Sequence, residues 1–337
     1  QELFHTNTLA WLIGHVAPAA EAVLGVLGSS TTGVPPATWR EYQHLDLLVH
    51  PGDGELRLVV ENKLFSIPSR KQLVAYTSKS LPWSPGHGEE GAARTRYVLL
   101  SLMKPAFDPP APWAHVTYVD LAAALDGSLK EMDGPDADLV RRYSELLSRL
   151  SGLAEVTDPR FELTEPFMDM DELKPVLDAS PFNGPVQKMR CARLLELIQL
   201  ELGQPLQFNS GLAHGAAFCS FYEPISTTRT VGWQLQGNQL RRCVLLSDTH
   251  LYGRGDEKAG ARARVAAEEY PHWFDFRFAE HILGDRAKLP PGGTTGWNHF
   301  APSFVYQYRK LDPSVTTAEL VQILAEWTRD ALGWARE

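Results

Sequence analysis

Residues 44–76, HLDLLVHPGDGELRLVVENKLFSIPSRKQLVAY, contain the most informative pattern in the chain. Its segments HLDLLVH and ELRLVVENKL are rich in branched apolar residues, which is typical of buried β-strands. Between them PGDG, residues 51–54, is a turn of the kind that joins antiparallel strands. The second strand ends in Glu61 and Lys63, which share a face because side chains alternate along a strand. Charged side chains rarely stay beside a core unless they are paired or bind a metal, so the hairpin predicts a site as well as a fold.

The segments around the hairpin complete an α/β unit. ELFHTNTLAWLIGHV has apolar residues at helical spacing, and a helix is also predicted after Pro68. RYVLLSL and HVTYV follow as strands, then DLAAAL as a helix capped by Asp120, and DADLVRRYSELLSRLSGL as an amphipathic helix. This order predicts an α/β sandwich with a mixed sheet over residues 1–155.

The pattern changes in residues 156–337. A long helix, GPVQKMRCARLLELIQLELG, precedes strands in HGAAFCSFYEPI, TVGWQLQG and QLRRCVLL, and the chain closes on another helix. These elements predict an α+β domain with a mostly antiparallel sheet, for substrate or partner binding. The sequence has no P-loop and no GxGxxG motif, so any motor activity would have to come from a partner.

Composition excludes several classes of protein. The chain has 337 residues and a net charge of −9, which argues against non-specific coating of nucleic acid. Its three cysteines lie far apart without metal-ligand spacing, and it lacks an apolar run of about 18 residues. We therefore expect a cytoplasmic protein without membrane association, disulfides or structural zinc. Two stretches are locally basic, and they place candidate nucleic-acid contacts at Arg70, Lys71, Lys79, Arg241 and Arg242. The alternatives are ordinary solvated faces and, for Arg241 and Arg242, one surface and one packing role.

Asp46 lies on the strand before Glu61, and a simple hairpin register brings the two carboxylates together. Adjacent carboxylates repel unless a cation lies between them. A hard divalent ion prefers oxygen ligands, and the backbone carbonyl of Asn62 is placed to add another. Lys63 does not ligate, but it can stabilise a hydroxide nucleophile and the charge that develops on a phosphate. The pattern predicts a Mg²⁺ or Mn²⁺ site.

This Asp…Glu-x-Lys hairpin resembles the PD-(D/E)XK nuclease superfamily. The following helix carries Gln72 and Tyr76, which look like the Q-x-x-x-Y motif of one branch of that superfamily. Upstream, ELFHTNTLAWLI is similar to the E-x-x-H-S opening helix of uncharacterised bacterial members, with threonine where serine is common. The resemblance covers roughly residues 1 to 150 and implies a restriction-endonuclease-like α/β/α core.

Carried over by position, the resemblance implies a role for each matching residue. Asp46 and Glu61 would be metal ligands, and Lys63 the catalytic lysine. Glu2 would be an accessory metal carboxylate, and His5 a further ligand or a phosphate contact. Gln72 and Tyr76 would line the active-site cleft.

The expected function is metal-dependent hydrolysis of DNA, by analogy in defence against phage or in repair. Two alternatives stay open: a non-cleaving DNA-binding or scaffold subunit of a larger complex, and an RNase. Protein partners or a homo-oligomer are compatible with all three. Elsewhere, the segment YPHWFDFRF, residues 270–278, could stack bases or belong to the core. Asp248, His250 and Asp256 could form a second metal site or a polar loop.

Overall fold

The computed structural model describes residues 2–31, 35–52, 56–68, 70–79, 81–82, 95–160, 163–169, 173–290, 296–300 and 302–334. The chain divides into two compact units, Gln1–Val156 and Thr157–Glu337. Asp53 and Gly54 of the predicted PGDG turn lie outside the described residues. No single helix in the described ranges is long and apolar enough to cross a membrane; only the first two helices, bent by 118° to each other, pass that test as a pair.

Unit 1 contains a five-stranded sheet and helices on both of its faces. Its helices are α1 (Glu2–His15), α2 (Ala17–Leu27), α3 (Arg70–Thr77), α4 (Tyr118–Ser128) and α5 (Gly134–Thr157). Its strands are β1 (Ala37–Tyr42), β2 (Leu45–His50), β3 (Arg57–Lys63), β4 (Thr95–Ser101) and β5 (Trp113–Thr117). The strands lie in chain order, antiparallel from β1 to β3 and parallel from β3 to β5. The predicted mixed sheet is confirmed.

The buried side chains of β2 to β5 alternate between two helical layers. Leu73 of α3 packs with Leu48, Val59 and Leu99 on one face. Asn62 points to the other face, where it contacts α1 and α4. The strands are apolar on both faces because helices cover both, as parallel pairing requires.

Helix α4 begins with a capping box. Thr117 Oγ1 accepts a hydrogen bond from the Asp120 amide at 3.1 Å, and Asp120 Oδ2 accepts one from the Thr117 amide at 3.0 Å. Thr117 is therefore the N-cap, and the predicted cap at Asp120 was wrong by three residues. The two residues cap the helix reciprocally, since each accepts a hydrogen bond from a backbone amide that has no partner within the helix.

Unit 2 has a mostly antiparallel sheet, as predicted. Its helices are α6 (Leu173–Asp178), α7 (Asn183–Leu202), α8 (Asp256–Glu269), α9 (Arg277–Leu283) and α10 (Thr317–Trp334). Its strands are β6 (Phe208–Ala213), β7 (Ala216–Pro224), β8 (Arg229–Gln236), β9 (Gln239–Leu246), β10 (Ala287–Lys288), β11 (Asn298–Phe300) and β12 (Phe304–Leu311). The strand order is β10-β12-β9-β8-β7-β6, and β11 pairs with β12.

The core of unit 2 lies between one face of this sheet and helices α7 and α10. Trp233 of β8 is fully buried there, and its indole nitrogen donates to Thr328 of α10 at 2.9 Å. Helix α7 ends at Gly203, whose φ of 66° is a left-handed conformation that glycine adopts without strain. From the segment at 270–278, Tyr270, Trp273, Phe274 and Phe276 belong to this core. The core alternative for that segment is therefore correct for these residues.

Candidate active site

The site in unit 1 begins where β2 and β3 separate. Their pairing runs from Val49 opposite Leu58 to Leu47 opposite Val60 and then stops. The next positions in the same register are Asp46 and Glu61, so the two carboxylates face each other on one side of the sheet. In place of a strand-to-strand bond, Asp46 Oδ2 accepts the amide hydrogen of Asn62 at 2.7 Å. The separated strand ends leave room for a polar site within an apolar sheet.

Lys63 lies between the two carboxylates. Its Nζ is 2.6 Å from Glu61 Oε1 and 3.9 Å from Asp46 Oδ2. The side chain of Glu61 is only 1 % exposed, while those of Lys63 and Asp46 are 13 % and 20 % exposed. The site therefore opens to solvent on the side of Asp46, and Glu61 forms its floor.

Burial and charge shift the pKa of all three groups. Burial raises the pKa of Glu61 to about 7; Lys63 opposes this and Asp46 adds to it. Burial also raises the pKa of Asp46 against the opposing effect of Lys63. Burial acts to lower the pKa of Lys63, but Glu61 and Asp46 more than offset it, and the pKa is raised. Two carboxylates thus share one ammonium, and the excess negative charge makes their ionised forms unfavourable without a further cation.

Helix α3 places the predicted glutamine and tyrosine over this site. Gln72 Nε2 donates to Tyr76 Oη at 2.8 Å and to Glu61 Oε1 at 3.4 Å. The two residues are one helical turn apart, so their side chains meet on one face. Both predicted cleft residues are therefore beside Glu61, and Gln72 contacts it directly.

The side chain of Asn62 fastens α1 and α4 to the opposite face of β3. Its Nδ2 donates to Thr6 Oγ1 at 3.1 Å and to the Glu2 carbonyl at 3.4 Å. The Tyr118 hydroxyl donates to Asn62 Oδ1. Asn62 is thus a structural anchor between the two charged residues, and its backbone carbonyl stays a predicted ligand.

Glu2 contacts the chain just after β3. Its Oε1 accepts hydrogen bonds from the Leu64 amide at 3.2 Å and from Ser66 Oγ at 2.9 Å. In the part of the chain that the structure describes, no three His, Cys, Asp or Glu side chains are grouped closely enough to hold a metal ion. The turn after β3 thus binds the Glu2 carboxylate, and the charge of Glu2 still acts to raise the pKa of Asp46 and of Glu61, after the larger effects of burial and of Lys63.

His5 is not at the site. It is 4 % exposed, and its Nδ1 is 3.2 Å from the Tyr143 hydroxyl. Its ring packs edge-on against Tyr118 at a centroid distance of 5.7 Å. Burial lowers the pKa of His5 to about 4, so the ring is neutral at physiological pH. The structure gives His5 a packing role, and the prediction that it is a ligand was wrong because helical spacing does not show which neighbouring element a residue meets.

Three predicted nucleic-acid contacts belong to α3 or follow it directly. Arg70 and Lys71 are exposed in its first turn. Lys79 lies just beyond the helix, with its ammonium 4.0 Å from the centre of the Tyr76 ring and donating to the Gln43 carbonyl. Arg70 and Lys71 are thus exposed to solvent, whereas the Lys79 ammonium is bonded within the protein, and the phosphate contacts of all three stay predictions.

Arg241 and Arg242 lie in unit 2 and are both largely buried. Arg242 donates to the Trp273 carbonyl at 2.7 Å and to Asp330 at 2.9 Å, and it is 3 % exposed. The prediction that Arg242 contacts nucleic acid was wrong, since its guanidinium is used within the core. Arg241 is 9 % exposed, on the other face of the same strand, and is not a surface phosphate contact either.

Asp248 belongs to a loop ion pair. It accepts a hydrogen bond from Thr228 at 2.8 Å, and its Oδ2 is 3.2 Å from Arg229 Nε. These hydrogen bonds, with the Arg229 charge, lower its pKa. The polar-loop alternative accounts for Asp248 without a second metal.

A further polar pair lies on the face of Glu61 and Lys63. Ser101 of β4 is paired in register with Lys63, and its Oγ is 2.8 Å from His115 Nε2 of β5. Burial lowers the pKa of His115, and Lys104 adds to that effect. The sequence shows His115 inside the predicted strand HVTYV, but only the parallel register of β3, β4 and β5 places it near the site.

Two carboxylates of the site, those of Asp46 and Glu61, have the chemistry to bind a hard cation. Glu61 Oε2 is buried, and it has no hydrogen-bond partner among the described residues. A buried carboxylate oxygen without a partner is costly, and a bound cation would compensate it. Asp46 and Glu61 therefore qualify as a two-carboxylate ligand set, completed by backbone carbonyl and water oxygens as Mg²⁺ commonly is.

Comparison of the chain with protein-family models, with curated proteins and with solved structures finds no match.

Proposed function

We propose that unit 1 is a metal-dependent phosphodiesterase of the PD-(D/E)XK type, acting on DNA. The observation that carries the proposal is the convergence of Asp46, Glu61 and Lys63 where β2 and β3 separate, with Glu61 Oε2 lacking a partner. A purely structural ion pair would not include a second carboxylate or leave a buried oxygen without a hydrogen-bond partner, because both are unfavourable. A bound Mg²⁺ or Mn²⁺ would compensate both.

Each residue has a defined part in the proposed mechanism. Asp46 and Glu61 hold the cation, which when bound would neutralise phosphate charge and lower the pKa of water. Lys63, on the same face, turns from Glu61 toward the phosphate oxygen on which charge develops. Gln72 restrains the Glu61 carboxylate through Oε1 and is itself held by Tyr76.

A second candidate is a non-cleaving, nucleic-acid-binding or scaffold subunit. It is favoured by the close Lys63–Glu61 contact of 2.6 Å, which pairs the lysine within the protein. It is also favoured by the position of Glu2, whose carboxylate is bound by the turn after β3.

The test is hydrolysis by the purified full chain. Supercoiled plasmid, linear duplex DNA, single-stranded DNA and RNA are each incubated with Mg²⁺ or Mn²⁺. We expect cleavage of DNA, lowered at least about a hundredfold by Lys63→Met and by Asp46→Asn. Lys130→Met, which removes an exposed lysine of the same unit, is the matched control and leaves cleavage unchanged.

Binding of the metal is measured separately by titration calorimetry. Asp46→Asn is expected to weaken Mn²⁺ binding to the full chain, whereas Lys130→Met leaves it unchanged. Metal binding without cleavage of any substrate would support the scaffold candidate. Cleavage of RNA alone would replace DNA by RNA as the substrate.

A further inference from the structure

The sheet of unit 2 has one face that its core does not use. Antiparallel partners share a face, so the strand register places residues of β7, β8, β9 and β12 in rows across the sheet. These rows are Tyr222, Gly232, Cys243, Tyr306; Ser220, Gln234, Arg241, Tyr308; Phe218, Gln236, Gln239, Lys310; and Pro224, Thr230, Leu245, Phe304. We call these rows the aromatic–amide face. Its members are absent from the unit 2 core cluster, which is built from the alternate residues of the same strands.

Arg241 is the central charge of the aromatic–amide face. Its Nη1 donates to the side-chain oxygens of Gln234 and Gln236, both at 2.6 Å, while Nε and Nη2 donate to Gln239 at 3.0 and 2.6 Å. Across the described ranges of the chain, no carboxylate lies within ion-pair distance of this guanidinium. A buried charge usually has a counter-charge, as Arg242 has in Asp330. Arg241 is held in place by neutral amides, so its positive charge is left uncompensated.

Aromatic rings surround this charge. The Arg241 guanidinium lies 4.7 Å from the centre of the Tyr306 ring, and the Tyr308 ring is 6.2 Å from that of Tyr306. Tyr222 lies across Gly232, where a side-chain Cβ would come within 2.4 Å of its ring, and its ring is 6.0 Å from that of Phe304. Tyr222, Tyr306 and Tyr308 are each half-buried.

The charges of the face have one sign. None of the residues in its rows is Asp or Glu, although the whole chain has 41 of them and a net charge of −9. Its charged members are Arg241 and, at the edge, Lys310. In an acidic protein such a face is complementary to an anion that also presents flat rings and hydrogen-bonding edges.

We propose that the aromatic–amide face binds single-stranded nucleic acid. Bases stack on the half-buried tyrosine rings, and the glutamine amide groups, whose oxygens accept from Arg241, offer N–H donors to base edges. Arg241 is buried behind the glutamine amides, so its uncompensated charge attracts the backbone phosphates without contacting them, and the exposed Lys310 at the edge is the direct phosphate contact. A duplex hides its base faces in its own stack, so it cannot use the rings in this way. The proposal does not depend on hydrolysis by unit 1.

The test measures binding of the full chain in EDTA, where metal-dependent cleavage cannot occur. Fluorescence anisotropy follows a labelled single strand of about 12 nucleotides, long enough for one such site. We expect binding that weakens with salt, a much weaker signal for duplex of the same sequence, and a loss of about tenfold in affinity for Tyr306→Ala. Tyr252→Ala removes an exposed tyrosine outside the face and is the matched control, expected to bind like the native chain.

The sharpest variant is Gln234→Glu, which places a carboxylate where Arg241 now has an amide oxygen. The shape of the side chain is kept, so folding is maintained while the charge is compensated. We expect several-fold weaker binding and a shallower salt dependence, because the face then carries less positive charge. Unchanged affinity in both Gln234→Glu and Tyr306→Ala would overturn the proposal, as would equal binding of duplex or no binding of any oligonucleotide. Failure of cleavage with intact binding would count against the proposed function alone.

Discussion

Two cationic side chains on sheet faces, Lys63 in unit 1 and Arg241 in unit 2, have opposite surroundings. Lys63 of unit 1 lies 2.6 and 3.9 Å from two carboxylates. Arg241 of unit 2 donates to three glutamine amides and contacts a tyrosine ring. The first group is left with net negative charge and the second with net positive charge. Since buried charge is unfavourable without compensation, the sign of the excess indicates the ligand: a cation for unit 1 and an anion for unit 2.

The largest effect is expected when the lysine is removed. Lys63→Met leaves Asp46 and Glu61 facing each other without a cation, and loss of one partner of a buried pair costs about 3 to 4 kcal/mol of stability. Hydrogen exchange of the β2 and β3 amides in EDTA at pH 8 measures this local loss. We expect added Mg²⁺ to restore part of the protection, because ligand binding stabilises the native state. If Lys63→Met and Lys130→Met showed equal protection, the repulsion between the Asp46 and Glu61 carboxylates would not affect stability.

The two adjacent arginines of β9 are expected to differ in how much stability their removal costs, and the larger of the two losses is slightly smaller than that for Lys63. Arg242→Met leaves the Trp273 carbonyl without its donor inside the core, at a cost of about 2 to 3 kcal/mol. The Asp330 partner is 42 % exposed and can be hydrated. Arg241→Met should cost unit 2 less, because the glutamines around it can bond to one another or to water. The unfolding transition of unit 2, measured by calorimetry, compares them. The assignment of the two residues fails if Arg241→Met is the more damaging change.

The site in unit 1 was largely predictable because it depends on local rules. Alternation along β3 places Glu61 with Lys63 and turns Asn62 away, and the hairpin register brings Asp46 opposite Glu61. One turn of helix places Gln72 over Tyr76. Each of these relations spans neighbouring elements and uses only the period of a strand or a helix.

The remaining contacts depend on packing between distant elements, which sequence periodicity does not describe. His5 is correctly one turn from Glu2, yet its ring meets Tyr118 and Tyr143, which are more than 100 residues along the chain. Arg241 and Arg242 were predicted either to contact phosphate or to divide between surface and packing, and alternation puts them on opposite faces of β9. Which face the helices cover follows from the assembled sheet and not from the strand itself.

A third, smaller effect is expected when Glu61 is changed instead of Lys63. Burial raises the pKa of Glu61 from 4.5 to about 7, so its ionised form is disfavoured in the folded protein. This cost is absent below pH 4.5, grows between pH 4.5 and 7, and is complete above pH 7. The full shift corresponds to about 3 kcal/mol, and loss of the Lys63 ion pair offsets part of it. Glu61→Gln is therefore expected to stabilise the metal-free protein by about 1 to 2 kcal/mol at pH 8 relative to pH 4.5.

Calorimetry of the native chain and the Glu61→Gln variant in EDTA, across this pH range, follows the change. Glu145→Gln, which changes an exposed glutamate of α5 in the same unit, is the matched control and is expected to show no such trend. A variant that loses stability between pH 4.5 and 8 would mean that the Lys63 pair outweighs burial, and that Glu61 needs no further cation.

The smallest effect is expected from the amide that faces Arg241. Gln234→Glu compensates the guanidinium charge at the existing 2.6 Å contact, so unit 2 should gain about 0.5 to 1 kcal/mol, or about 2 °C in its melting temperature. A buried arginine is usually paired with a carboxylate. Arg241 is paired with amides instead, and the proposed binding of an anionic strand gives a reason for this. A gain in stability together with weaker binding of the single strand would show that the amide is kept for the ligand. Lower stability would show instead that the glutamines already satisfy Arg241. The surroundings of Arg241 and Lys63 would then differ in hydrogen-bond geometry, and Arg241 would not be in need of a negative charge.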